Sequence, residues 1–122
     1  GIDAIKNGGS INWITTSDRR LKSNIHVANT IMCENFMRNL DLKRFTWNDG
    51  ETARDRTQLG FIAQEVEEIL PKAVVTREFA NISDCKLLDT SQIMMTMYGA
   101  LKRCISRIDE LEAIVFNTNI FD

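Results

Sequence analysis

Few side chains in this 122-residue sequence have types and spacings suited to chemistry. Three cysteines, Cys33, Cys85 and Cys104, lie far apart with no Cys-x-x-Cys among them. An odd number at wide spacing argues against a disulfide framework and against a zinc site, so no metal is expected. They read as small buried hydrophobes of a reducing compartment. The single histidine, His26, is too little for a Cys/His cluster. No Gly-x-x-x-x-Gly-Lys-Ser/Thr loop is present to cradle phosphates. What remains is the polar stretch Ser17-Asp18-Arg19-Arg20-Leu21-Lys22-Ser23-Asn24, which sets a hydroxyl and an amine five residues apart. Taken alone, Ser17-Asp18 reads as a helix cap and Lys22 as a solvated charge.

The elements around this stretch follow from periodicity. Residues 1–16 hold two β-favouring runs about Asn7-Gly8-Gly9-Ser10, a strand–turn–strand pattern too short to bury its own apolar residues. The stretch is therefore expected to lean on a longer body or on other chains, and the abrupt start at Gly1 suggests the tail of something longer. The polar break at Ser17–Asn24 marks the principal boundary. From Asn29 to Leu42, Cys33, Phe36, Met37 and Leu40 keep the spacing of an amphipathic helix capped by Asn29 or Thr30. Residues 44–47 alternate as a strand, and 48–56 form a charged loop with a turn at Asp49-Gly50. Residues 59–62 predict a short strand, 63–70 a helix ended by Pro71, and 73–77 and 86–88 two more strands. Asp89, Thr90 or Ser91 then caps the last helix.

That last helix carries the clearest periodicity. Met94, Met97, Leu101, Cys104, Ile108, Leu111 and Val115 alternate at spacings of three and four, the repeat that keeps one seam against a partner helix in a coiled coil. Ile105 and Ile114 widen the stripe, which suits three strands better than two. Arg107 and Glu112 fall at the flanking positions where parallel chains pair charges. The competing reading packs the same stripe on the core of its own domain.

Composition sets the remaining bounds. The length fits one domain, and 43% hydrophobic residues permit a core, although small chains gain from oligomerising. A formal net charge of -2 gives no electrostatic case for nucleic acid or an anionic membrane surface. No apolar run reaches membrane-spanning length, and the N-terminus does not read as a signal peptide.

Three stretches together carry a resemblance: residues 16–25, Thr-Ser-Asp-Arg-Arg-Leu-Lys-Ser-Asn-Ile; residues 59–71, Leu-Gly-Phe-Ile-Ala-Gln-Glu-Val-Glu-Glu-Ile-Leu-Pro; and residues 87–93, Leu-Leu-Asp-Thr-Ser-Gln-Ile, followed by the long helix. In order and spacing they resemble the C-terminal intramolecular chaperone domain of endosialidases, phage tailspikes and neck appendages, which is related to a domain of the myelin regulatory factor. The resemblance implies a homotrimer that assembles three chains, promotes folding of an upstream triple β-helix, and releases itself by autoproteolysis. It implies a cut between Thr16 and Ser17, with Ser17 and Lys22 as a catalytic dyad. Neck-appendage relatives are associated with ATP; no nucleotide motif is visible here, so no cofactor is expected. The implied setting is the cytoplasm of an infected host during assembly, with the stalk delivered to the virion tail or appendage.

The implied chemistry makes demands. A serine hydroxyl is a poor nucleophile until a base takes its proton. A lysine amine is such a base only when neutral, and its ordinary value of about 10.4 keeps it charged near pH 7. Neutralising it there needs on the order of 4 kcal/mol from desolvation or nearby cations. Arg19 and Arg20 are candidate cations, and Asp18 opposes them. Five residues span about 140° of a helix and opposite faces of a strand, so Ser17 and Lys22 must meet across a turn or a subunit boundary. Cleavage is accordingly expected to wait for trimer formation.

Supporting residues are weaker candidates. Asn24 and the Gly60 region could contribute oxyanion donors, although Gly60 more simply serves a tight bend. Gln64 and Glu65 open a helix and could bond to the Ser17 turn, or simply favour that helix's N-terminus. His26 is a candidate second base, set against an ordinary structural role. The expected fold is α+β: small strands and helices beside a long C-terminal helix that forms a parallel trimeric coiled coil. Residues 1–16 would end a triple β-helix stalk, the client, and 17–122 would form the chaperone domain. The expected partners are two further copies and that stalk. A trimerising cap that does not cleave is the principal rival, and the trimerising domain of a membrane-tethered transcription factor is a third reading.

Overall fold

The computed structural model describes residues 6–7, 10–11, 14–48 and 57–120, with side chains from 14–48 and 57–117. The expected turn at Asp49-Gly50, most of the charged loop, and Trp13 lie outside the described residues. Near the N-terminus, β1 (Lys6–Asn7) pairs antiparallel with β2 (Ser10–Ile11), the two-strand pattern anticipated about the glycines.

Helix α1 spans Thr30–Asn39. Asn29 caps it, its side-chain oxygen accepting from the Ile31 and Met32 N–H groups, which satisfies two of the amides every helix start leaves open. The helix stops three residues short of the predicted Leu42, because Leu40 turns to extended backbone. Strands β3 (Lys43–Phe45) and β4 (Gln58–Gly60) form an antiparallel pair, with Lys43 opposite Gly60 and Phe45 opposite Gln58. Their side chains reinforce the pairing. Phe45 meets Trp47 edge-to-face at 5.1 Å, and Trp47 Nε1 donates to Gln58 Oε1 at 3.2 Å.

Helix α2 (Ala63–Ile69) ends where Pro71 opens a 3-10 turn, Pro71–Ala73. The two strands predicted after it are halves of one hairpin, β5 (Val74–Phe79) and β6 (Ile82–Leu88). Ala80 and Asn81 form its two-residue turn, both at positive φ (52° and 65°). That geometry matches the right-handed strand twist, and alanine is an unusual residue to adopt it. Helix α3 runs unbroken from Thr90 to Ile120. Asp89 caps it through hydrogen bonds from the Ser91 and Gln92 N–H groups.

The core is small. Phe36 of α1, Val66 of α2, Ala73 and Ile93 of α3 are buried together. Leu40, Phe61, Leu70, Val74 and Leu88 surround them. Helices α1 and α3 pack closely because α3 carries Gly99 where they meet. A Cβ there would lie 2.5 Å from the Cys33 Sγ and 3.0 Å from its Cβ. Glu34 of α1 completes this contact. It binds Arg38 at 2.8 Å, Arg107 at 2.7 Å and Arg103 at 3.4 Å. Arg38 holds the Glu34 carboxyl below the usual range by its hydrogen bond; partial burial opposes this, and the nearby Arg107 and Arg103 charges assist. The architecture is thus α+β, with small antiparallel strand pairs and a long C-terminal helix.

Candidate functional site

The site is built on a single tight turn. Asp18 is extended and caps the 3-10 turn Arg19–Leu21, its Oδ1 accepting from the Arg20 N–H at 2.8 Å. The Leu21 N–H bonds to the Asp18 carbonyl, and the Lys22 N–H to the Arg19 carbonyl. This turn reverses the chain enough to bring the two flanking side chains together. Lys22 Nζ donates to Ser17 Oγ at 2.6 Å. Neither a helix nor a strand would make that contact, and the turn does so within one chain.

The electrostatics around the pair are local. Arg20 forks onto Asp18, with Nε to Oδ1 at 3.0 Å and Nη2 to Oδ2 at 2.9 Å. Its side-chain hydrogen bond lowers the Asp18 carboxyl below the usual carboxylate range, and the Arg20 guanidinium rises in turn. Asp18 therefore offsets Arg20, while among the described residues Arg19 has no ion-pair partner. Thr16, Ser17 and Lys22 are all exposed. Beyond the turn Asn24 takes a left-handed conformation (φ 54°), a conformation asparagine tolerates better than most residues. It leads into the segment 25–29, which forms no regular element and where Ile25, His26 and Val27 are exposed.

The other predicted supporting residues sit in separate places. Gly60 lies in β4, and a Cβ there would meet the Phe45 ring at 2.8 Å; its smallness makes room for an aromatic ring, and the expected tight bend is absent. Gln64 is exposed in the first turn of α2, and Glu65 faces Lys43 at 3.7 Å. Among the described residues, no hydrogen bond joins Gln64, Glu65 or His26 to Ser17 or Lys22.

The seam residues Met94, Met97, Leu101, Cys104, Ile108, Leu111 and Val115 are all exposed on α3. The alternative of a stripe buried in its own core fails for them, since α3 buries Ile93, Gly99 and Ala100 instead. Along the proximal seam, Met94, Met97, Leu101 and Cys104, with Tyr98 and Met37 of α1, line an open apolar groove of about 640 Å³. Sequence reasoning missed Gly99 and the Glu34 cluster. The Glu34/Arg38 and Arg103/Arg107 spacings of four were a readable signal for charged faces, but not for their meeting.

Comparison with known proteins agrees with the motifs. The sequence model of the family described as chaperone of endosialidase matches residues 17–75, which contain the Ser17–Lys22 turn. A probable tail fiber protein of Escherichia phage Phieco32 is 30% identical over 111 residues. That alignment covers 88% of this chain and 15% of the relative, so the chain spans a small part of that protein's length. Residues 17–75 of this chain are thus similar to the chaperone of endosialidase family, and most of the chain is similar to a part of that tail fibre protein.

Proposed function

We propose that the chain is a homotrimeric intramolecular chaperone that brings the strands of a phage fibre stalk into register and then frees itself by cutting between Thr16 and Ser17. The observation carrying the proteolytic part is the 2.6 Å contact between Lys22 Nζ and Ser17 Oγ, within reach for general-base transfer.

In the proposed reaction a neutral Lys22 amine takes the Ser17 hydroxyl proton as Oγ attacks the Thr16 carbonyl carbon. The Thr16–Ser17 C–N bond breaks, and the freed Ser17 nitrogen takes up the proton. The acyl group now rests on Oγ as an ester, which water hydrolyses. Exposure of the dyad in the single chain supports a dependence on assembly. Desolvation disfavours the charged form of an amine, and neighbouring copies would supply it.

The chaperone part rests on the exposed seam of α3. Joining three C-termini raises the effective concentration of the upstream strands and fixes their alignment, which lowers the cost of the long-range β pairing that slows such folds. Cleavage then leaves the intertwined stalk kinetically trapped. The tail fibre relative supports a stalk destined for the virion tail; in this reading its assembly takes place in the cytoplasm of the infected host.

Intact-mass measurement on refolded protein tests this reading. The wild-type chain is expected to lose a fragment ending at Thr16. Ser17→Ala and Lys22→Ala should each slow that loss by roughly 1,000-fold or more, and dilution to monomer should slow it in the wild type. An assembled trimer that keeps the Thr16–Ser17 bond would leave a trimerising cap with no proteolytic step. Cleavage at full rate in a monomer would overturn the dependence on assembly.

A further inference from the structure

The seam frame assigns positions g and e as well as the apolar a and d. Between residues 93 and 115 the g positions hold Ile93, Ala100, Arg107 and Ile114, and the e positions hold Tyr98, Ile105 and Glu112. Only two of these seven side chains are charged, and they are five residues apart. In a parallel coiled coil a g residue faces the e residue five positions later on the neighbouring helix. Arg107 and Glu112 fit that offset.

The structure adds a second observation at Arg107. Its Nη1 is held by Glu34 Oε2 at 2.7 Å, and it shares that carboxylate with Arg38 and Arg103. Three guanidinium groups around one carboxylate leave this corner with an excess of positive charge. Arg107 also keeps unused donors, since a guanidinium offers five. Glu112 is exposed and, among the described residues, has no ion-pair partner. The acidic neighbours Asp109 and Glu110 fall at b and c, which face away from a partner helix.

We infer that Glu112 of one copy binds Arg107 of the next, and that this charge pair sets the parallel, in-register alignment of α3 in the trimer; the inference rests on the trimeric reading above. An antiparallel arrangement would pair g with g and e with e, and so would separate Arg107 from Glu112. A slip of one heptad would place Glu112 opposite Ala100. Because Arg107 is already held by Glu34, the guanidinium is positioned before the partner arrives, and one side chain links helix packing inside a copy to register between copies.

Sedimentation equilibrium of the whole chain tests the pair. Glu112→Lys is expected to raise the trimer dissociation constant by about 100-fold, as three attractive surface contacts become repulsive. In a Glu34→Gln background, where residue 107 is free of its carboxylate neighbour, Arg107→Glu should weaken the trimer and addition of Glu112→Lys should restore it. The restored trimer should again weaken with added salt. A trimer indifferent to Glu112→Lys, or a charge swap that fails to restore association, overturns the inference and leaves the trimer standing. A wild-type chain that stays monomeric at every concentration overturns the trimer and the charge pair together.

Discussion

The two halves of α3 solve the problem of an apolar stripe in different ways. From Thr90 to Arg107 the helix leans on its own chain: Ile93, Gly99 and Ala100 are buried, and Arg103 and Arg107 close on Glu34. From Ile108 onward every described side chain is exposed, including Leu111 at 59% and Phe116 at 67%. A helix with no tertiary support is marginal in water, because most helical stability in proteins comes from packing one face. The first half therefore packs one face within a single copy and leaves its seam residues, Met94, Met97, Leu101 and Cys104, exposed on another. The second is shaped for other copies, and exposed apolar area this contiguous marks an interaction surface.

The contrast can be broken from either side. Leu111→Asp should have the largest effect, since burying an unpaired carboxylate in the seam opposes association in all three chains by several kcal/mol in total, about 2 kcal/mol or more from each. Sedimentation should show loss of trimer at micromolar concentration, with the unfolding of the diluted single copy unchanged. If the diluted protein is destabilised as well, the distal half is part of the single-copy fold and the distinction fails. Gly99→Val should do the reverse. The added carbons meet Cys33 within van der Waals distance, and overpacking of this kind costs about 3 kcal/mol. The loss should appear in thermal melts at any protein concentration; a variant as stable as wild type would show that α1 and α3 are not locked there.

The smallest effect sharpens the border between the halves. The folded Glu34 carboxyl is held below its ordinary value, first by the Arg38 hydrogen bond. A depressed carboxylate contributes stability that is present above its unfolded value and lost as pH falls through the lower folded value. Wild type should therefore exceed Glu34→Gln in stability at neutral pH, and the difference should shrink below about pH 4. Paired denaturant titrations from pH 7 to pH 3 measure it. A constant difference would remove the ion pairs from the account and leave packing alone.

Much of this was legible in the sequence because it depends on local periodicity. The Asn29 cap, the Pro71 stop, the long helix and its exposed seam all follow from spacing. The need for a turn between Ser17 and Lys22 followed from helix and strand geometry. The hairpin of β5 and β6 was read as two separate strands because Ala80-Asn81 lacks the glycine that usually announces such a turn. The role of Gly99 was hidden for a different reason. A glycine inside a heptad pattern reads as a weak point, and only the meeting of α1 with α3 reveals what it makes room for. Glu34 and Arg107 are 73 residues apart, beyond the reach of any local pattern. Gly60 was tied to the wrong feature, since the ring it clears belongs to a strand in another part of the sequence.

Gly99 also governs something at a distance. Because α3 has no break, its rotation about its own axis is a single variable. Each residue adds about 100° and 1.5 Å, so the contact with Cys33 clocks Leu111, roughly 18 Å further along, with no intervening adjustment. A twist imposed where the helices touch would swing the distal apolar edge by the same angle. The steric fit at one small residue thus aims the far end of the rod before any other copy has arrived.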